Sequence, residues 1–148
     1  AMAVDGLDEG LCFAAFGAEE SGLYGSKALV ERMRRAGELP GYMVNLDVTG
    51  IGRRVEVIGN TAAAGLALRA AEEAGIEAVA SVLPANSGSD HQSFADAGIE
   101  TVFFTSGDFS TIHSPQDVAA DIDGKMLDAI GDAAFLTVKV LLLKVAAG

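Results

Sequence analysis

The sequence predicts an α/β fold of three layers, in which helices cover both faces of a mixed, mostly parallel sheet. Short apolar runs of strand length alternate with helical patterns along the whole chain. The 148 residues, 50% of them apolar, supply one domain with a sizeable core. We find no internal repeat and no low-complexity linker, so the sequence indicates no internal domain boundary.

Five segments have the length and apolar character of strands. The run "LCFAAF" reads as a fully buried strand, whereas "RVEVIG" alternates apolar and polar residues. The predicted strands are residues 11–16, 42–48, 54–59, 78–83 and 101–106.

Four segments have helical patterns, and most of them carry recognisable end signals. The first is expected to end at Gly37 before Pro40, the second to begin at Thr61 as N-cap, and the third to be capped by Ser89 or Asp90. The predicted helices are residues 24–37, 61–75, 89–98 and 123–147.

The charge balance argues against nucleic acid as a partner. The net charge is -11, from 10 basic and 21 acidic residues, whereas phosphate binding needs an excess of Lys and Arg. The same balance suits an acidic site that attracts cations. No stretch approaches 18 uninterrupted apolar residues, so the sequence predicts no membrane partner and no membrane-spanning segment.

The single cysteine, Cys12, can form no internal disulfide, and its apolar surroundings predict a buried, inert thiol. Cysteine usage therefore leaves the cellular compartment open. The opening residues 1–3, "AMA", are interpreted as a cloning remnant, so the lack of a signal peptide does not argue against secretion.

Carboxylates and imidazoles follow the predicted strands, in the loops where sites of α/β sheets gather. They are Glu19 and Glu20, Asn45 with Asp47, Asp90 with His91, and His113. Such side chains, converging on one spot, suit a divalent cation of the zinc type. Zinc would relieve the repulsion between the two adjacent glutamates and lower the pKa of a bound water. Adjacent residues of an extended segment point to opposite sides, so one glutamate could bind metal while the other faces the water.

Each of these residues also has a simpler interpretation. A Glu-Glu pair before Ser-Gly is typical of a solvated turn, and Asp47 could be a turn former. His113 could be an ordinary loop residue. Asp90 could cap a helix or support a ligand, and His91 could support a ligand or face the substrate.

Four sequence motifs resemble, in their residues and in their order, those of the double-zinc aminopeptidase family. They are "FAAFGAEESGLYGSKALVE", "VNLDVTG", "SDHQSFADAGIETVFF" and "IHSPQD", and they span about residues 11–117 in family order. That family includes secreted bacterial leucine aminopeptidases, glutamate carboxypeptidase, glutaminyl cyclases and the non-enzymatic transferrin receptor ectodomain.

The resemblance implies roles for single residues. Glu19 matches the general base that deprotonates a metal-bound water. Glu20 and His113 match ligands of one zinc, and Asp47 matches a ligand of the second zinc. Asp90 and His91 match supporting positions in a loop that lines the active site.

The chain departs from the family in two places. Some members have a tyrosine before the ligand histidine, but Ile112 stands there. Members also carry a His ligand and a metal-bridging Asp upstream of the Glu-Glu pair, whereas the 18 residues before Glu19 contain no histidine and only Asp5, Asp8 and Glu9 as carboxylates. We therefore expect residues 1–148 to be the carboxyl-terminal part of such a catalytic domain, truncated at its amino-terminal side, with zero or one of the two zincs bound.

The resulting expectation is a zinc-dependent exopeptidase that removes amino-terminal residues from a peptide substrate, present as a part with an incomplete site. The alternatives are a non-catalytic scaffold of the same fold, a glutaminyl cyclase or a carboxypeptidase. Missing strands would expose a sheet edge, so we expect a homodimer through that edge. The family makes a secreted or periplasmic location plausible, but the sequence does not determine it.

Overall fold

The computed structural model describes residues 10–59, 61–85 and 87–146. Within these ranges the chain forms four α-helices, one short 3-10 helix (Ala119–Asp121) and four strands. The strands are β1 (Tyr42–Leu46), β2 (Gly52–Ile58), β3 (Ala78–Ser81) and β4 (Glu100–Gly107). The helices are α1 (Tyr24–Ala36), α2 (Ala62–Glu73), α3 (His91–Ala95) and α4 (Gly124–Ala146). Within the described ranges, no helix combines the length and the apolar character that crossing a membrane requires.

The four strands form one mixed sheet in the order β1-β4-β2-β3. β1 runs parallel to β4 and β2 runs parallel to β3, whereas β2 and β4 are antiparallel. The prediction of a mixed, mostly parallel sheet is confirmed. Because β1 and β4 are parallel neighbours, the loops that follow them emerge at the same edge of the sheet.

Helices pack on both faces of the sheet, as predicted. On one face, Val102 and Phe104 of β4 pack with Ala67 of α2 and Ile130 of α4. On the other face, Val30 of α1 and Phe94 of α3 form a smaller cluster with Ile99, against which Phe16 and Met43 are packed. Alternate residues of β4 face opposite layers, since side chains along a strand alternate between its two sides.

The helix ends follow the sequence signals only in part. Gly37 ends α1 in a left-handed conformation, as expected. Thr61 occupies the N-cap position of α2 but makes no capping hydrogen bond with its side chain. Instead, the Glu100 carboxylate of β4 accepts a hydrogen bond from the Ala63 N–H at 3.0 Å. The acidic side chain that caps α2 is thus supplied by a neighbouring strand, which a local pattern does not reveal.

The prediction of a buried strand at residues 11–16 is wrong. The segment has no strand structure, and Phe13 is 90% exposed. Cys12 is exposed as well, so the expectation of a buried thiol is also wrong. An apolar run becomes a strand only when a neighbouring strand satisfies its backbone groups, and none of the described strands pairs with this segment. Phe16 alone is anchored, with its ring centroid 6.0 Å from that of Phe94.

Two expectations concern the ends and edges of the chain. Residues 1–9, which include Asp5, Asp8 and Glu9, and Ala147 lie outside the described residues. Among the described strands, β1 pairs with β4 on one side and has no neighbour on the other. A homodimer through this edge stays a prediction.

Candidate functional site

The loop that carries the two glutamates is a tight turn before α1. The Glu19 carbonyl accepts hydrogen bonds from the Gly22 and Leu23 N–H groups at 2.9 and 2.8 Å, so the pair lies in a turn rather than in the extended segment that the sequence suggested. The Gly25 N–H donates to the Gly17 carbonyl at 3.1 Å. A Cβ at position 25 would lie 2.5 Å from that carbonyl oxygen, so only glycine permits this close approach.

Glu19 is surrounded by other carboxylates. Partial burial raises the pKa of Glu19, and the negative charges of Glu20, Asp47 and Asp90 raise the pKa further. Three loops that are distant in the sequence therefore bring acidic groups to one place. A cation at this place would offset the repulsion between them.

Glu20 and His113 lie in contact at the solvent-exposed side of the site. The Glu20 Oε1 and His113 Nε2 atoms are 3.3 Å apart, and the two side chains are 71% and 58% exposed. His113 is presented by the loop after β4, and Glu20 by the turn before α1. A carboxylate oxygen and an imidazole nitrogen are both donor types that zinc accepts in proteins.

Asp47 follows β1, and both of its carboxylate oxygens accept hydrogen bonds. The Val48 N–H donates to Oδ1 at 2.9 Å, and the Ser89 hydroxyl donates to Oδ2 at 2.8 Å. Ser89 in turn accepts a hydrogen bond from Asn45 Nδ2 at 2.8 Å. Asn45 and Ser89 are buried, so these two hydrogen bonds hold the Asp47 carboxylate from its buried side. The sequence placed Asn45 and Ser89 beside the site, but nothing in the pattern showed that they bond to each other.

Asp90 and His91 are buried behind the acidic cluster. Each is less than 10% exposed, and the imidazole of His91 stacks on Phe103 at a centroid distance of 4.8 Å. Burial lowers the pKa of His91, although the charges of Asp47 and Asp90 act in the opposite direction. Among the described residues, neither Asp90 Oδ1 nor His91 Nδ1 has a hydrogen-bond partner. Asp90 stands at the N-cap position of α3 but makes no capping bond with its side chain.

Backbone strain is concentrated around the same residues. Four described residues other than glycine have a positive φ, and three of them adjoin or belong to the site: Ala18 (56°), Val48 (50°) and His113 (61°). The fourth, Leu23, is the N-cap of α1. Each such conformation costs on the order of 1–3 kcal/mol, and persists only where the surrounding structure imposes it.

The donor side chains present are of types that bind zinc, but too few of them are arranged together for a complete zinc site. Carboxylate and imidazole donors converge, and the repulsion among the carboxylates favours a cation. However, no group of three or more His, Cys, Asp or Glu side chains within residues 10–59, 61–85 and 87–146 is arranged to hold a metal ion. The structure joins Glu20 to His113, whereas Asp47 is engaged with Ser89 and Val48. A catalytic zinc normally has three protein ligands, so this is a partial donor set.

Comparison with known protein families shows which family the chain belongs to. The pattern of peptidase family M28 matches residues 2–138, which is most of the chain. The chain belongs to peptidase family M28. The resemblance to double-zinc aminopeptidases that the four motifs indicate is thereby confirmed. No curated protein matches the chain.

Solved structures agree with this assignment of the M28 chain. A zinc aminopeptidase from Bacillus subtilis is 29% identical, with a TM-score of 0.72 over 84% of this chain and 34% of its own. An aminopeptidase from Aneurinibacillus sp. strain AM-1 is 26% identical, with a TM-score of 0.73 over 83% of this chain and 31% of its own. A glutaminyl cyclase from an Acidobacteriales bacterium is 17% identical, with a TM-score of 0.66 over 80% of this chain and 45% of its own, and shows a shared fold alone.

The M28 chain thus spans about a third of the length of the two aminopeptidases that it matches. Family membership and these neighbours support a peptidase-like function. The roles of individual residues are a matter for proposal.

Proposed function

We propose that this M28 chain contributes part of the active site of a zinc-dependent, aminopeptidase-like exopeptidase, in which Glu19 is the general base. The proposal is carried by one observation: burial and the charges of Glu20, Asp47 and Asp90 together raise the pKa of Glu19, next to the contact between Glu20 and His113. Two solved aminopeptidases that share this fold at 26–29% identity support the reaction class.

Glu20 and His113 would hold one zinc, and Asp47 would contribute to a second. Zinc bound there would lower the pKa of a water molecule and polarise a peptide carbonyl. Because the donor set is partial, we expect the chain by itself to bind a single zinc, through Glu20 and His113, and to be inactive without further ligands.

Glu19 has the properties that a general base requires. It is half-buried, so water can still reach its carboxylate, and its raised pKa makes the carboxylate a stronger base than an ordinary surface glutamate. Glu19 would accept the proton of the attacking water at its carboxylate and could later donate it to the leaving amine. Asp90 and His91 would support this arrangement from the buried side of the cluster.

Zinc titration calorimetry tests the donor assignment. We expect the unmutated chain to bind one zinc, and His113→Ala and Glu20→Gln to weaken binding at least tenfold each, because each removes one of two donors. Glu73→Gln is the matched control, because this exposed glutamate of α2 lies on the opposite layer of the fold. Equal affinity in His113→Ala and Glu73→Gln would contradict the assignment.

The reaction class is tested with the full-length protein. Hydrolysis of an aminoacyl-nitroanilide that Glu19→Gln abolishes is the expected result. Turnover of an N-terminal glutaminyl peptide or of an acidic C-terminal dipeptide, without aminopeptidase activity, would instead assign the chain to a cyclase or a carboxypeptidase.

A further inference from the structure

The backbone directly after Asp47 is held in a conformation that its residue type disfavours. Val48 has a φ of 50°. A β-branched side chain in the left-handed region is a genuine outlier, because its Cβ substituents crowd the backbone. The turn does not adopt this conformation by local preference, so other contacts must impose it.

Those contacts converge on the carbonyl oxygen of Val48. It accepts hydrogen bonds from the Thr105 hydroxyl at 3.0 Å, the Ser106 N–H at 3.0 Å and the Ser106 hydroxyl at 2.7 Å. The Ser106 hydroxyl also contacts the carbonyl of Ile51, further along the same turn. The single hydrogen of the Ser106 hydroxyl is shared between these two carbonyls, so the Val48 oxygen has two full donors, the Thr105 hydroxyl and the Ser106 N–H, and one shared donor. Thr105 is fully buried and Ser106 is 3% exposed, so water cannot replace them.

The strained residue is coupled to the Asp47 carboxylate through its own N–H. The Val48 N–H donates to Asp47 Oδ1 at 2.9 Å, while the Asp47 N–H donates to the Phe104 carbonyl at 3.3 Å. Relaxation of Val48 to a negative φ would turn the peptide plane that carries this N–H. Asp47 would then lose the donor that orients Oδ1 and keep only Ser89 on Oδ2.

We propose that Thr105 and Ser106 are positioning residues, which hold the Val48 carbonyl and thereby aim the Asp47 carboxylate into the acidic cluster. The end of β4 thus sets the geometry of a carboxylate on the loop after β1. The effect on zinc binding rests on the proposed function. The effect of Thr105 and Ser106 on the orientation of the Asp47 carboxylate does not.

Nuclear magnetic resonance on the chain as it exists tests the link. The test variant combines Thr105→Val with Ser106→Ala, which removes both hydroxyl donors and keeps side-chain size nearly constant. We expect the Cα and Cβ shifts of Val48 to leave the range of left-handed residues, and the Cγ resonance of Asp47 to move. Thr105→Ser, which retains a hydroxyl, should restore part of both signals.

Two further variants separate positioning from general loosening. Thr137→Val is the matched control, because the Thr137 hydroxyl is equally buried and donates to the Ala133 carbonyl at 2.8 Å, within α4. It should leave the Asp47 resonance in place. Val48→Gly removes the strain. The two substitutions of the test variant should therefore shift the Asp47 resonance much less when position 48 is glycine than when it is valine.

Retention of the left-handed Val48 shifts in the test variant would overturn the proposal. An Asp47 displacement of the same size with and without Val48→Gly would overturn it too. Zinc affinity is a separate measurement, in which we expect about a tenfold loss in the test variant. If the unmutated chain bound no zinc, that result would count against the proposed function, and the resonances would still decide the positioning role.

Discussion

Glu20 Oε1 lies 3.3 Å from His113 Nε2, although the two residues come from separate loops, one before α1 and one after β4. Both side chains are more than half exposed, so this contact lies at the surface and contributes little to folding. A contact that is nearly neutral for stability, yet pairs two zinc-type donors, is consistent with a role in binding rather than in folding.

Glu20→Gln should therefore separate stability from zinc binding. We expect the free energy of unfolding of the metal-free chain to change by less than about 0.5 kcal/mol, because solvent screens the pair. Zinc-dependent stabilisation, measured as the shift of the denaturation midpoint on adding zinc, should be lost. A large loss of stability in the absence of metal would contradict the interpretation of this pair as a binding contact.

Glu19→Gln should stabilise the metal-free chain at neutral pH. The folded-state pKa of Glu19 is raised above its usual value of 4.5, so the folded state binds this proton more tightly than the unfolded state. The stability contribution of Glu19 is therefore fully present below pH 4.5 and is lost as the pH rises through the folded-state pKa. The variant should gain less than about 1 kcal/mol at pH 7, since solvent partly screens the cluster, and the gain should vanish below the unfolded value.

Urea denaturation of both proteins at several pH values measures this difference. Asp128→Asn on the exposed face of α4 serves as the control for loss of one negative charge. Equal effects of the two substitutions at every pH would contradict this prediction, because they would show that Glu19 responds only to the net charge of the chain and not to the neighbouring carboxylates.

Ser89→Ala should destabilise the chain and loosen Asp47. The substitution leaves Asn45 Nδ2 without its acceptor and Asp47 Oδ2 without its donor, in a buried setting. A buried polar group that loses its partner costs about 1–3 kcal/mol. Denaturation midpoints measure the loss, and Ser87→Ala in the exposed part of the same loop should change the free energy of unfolding by less than about 0.5 kcal/mol.

Association of the chain with a second copy through the β1 edge remains a prediction from the sequence. The 90% exposed side chain of Phe13, in the segment before α1, offers an apolar group that such an association could bury. We expect sedimentation to show concentration-dependent dimers, which Phe13→Asp weakens. Leu143→Asp, at a 71% exposed position of α4, should leave association unchanged. A monodisperse monomer over a wide concentration range would refute the prediction.

Local patterns were enough to predict most of the elements. The alternation of apolar runs and helical periods located every described strand and α-helix to within a few residues, because these patterns express which faces must be buried, but it did not predict the short 3-10 helix. The termination of α1 at Gly37 was also readable, since a left-handed helix end favours glycine over other residues. The exception is residues 11–16, where the pattern was that of a strand but no described strand supplied the backbone partner.

The candidate site, like the fold, could be predicted from the sequence only in part. The sequence alone determined the family, through four ordered motifs, and with it the residues that merit attention: Glu19, Glu20, Asp47, Asp90, His91 and His113. Only the tertiary structure decided that Glu20 meets His113, that Ser89 holds Asp47, and that Thr105 and Ser106 hold Val48 in a strained conformation. Residue types and spacing record which groups a chain can offer, whereas hydrogen bonds and charge interactions act within a few ångströms and depend on how distant loops are brought together.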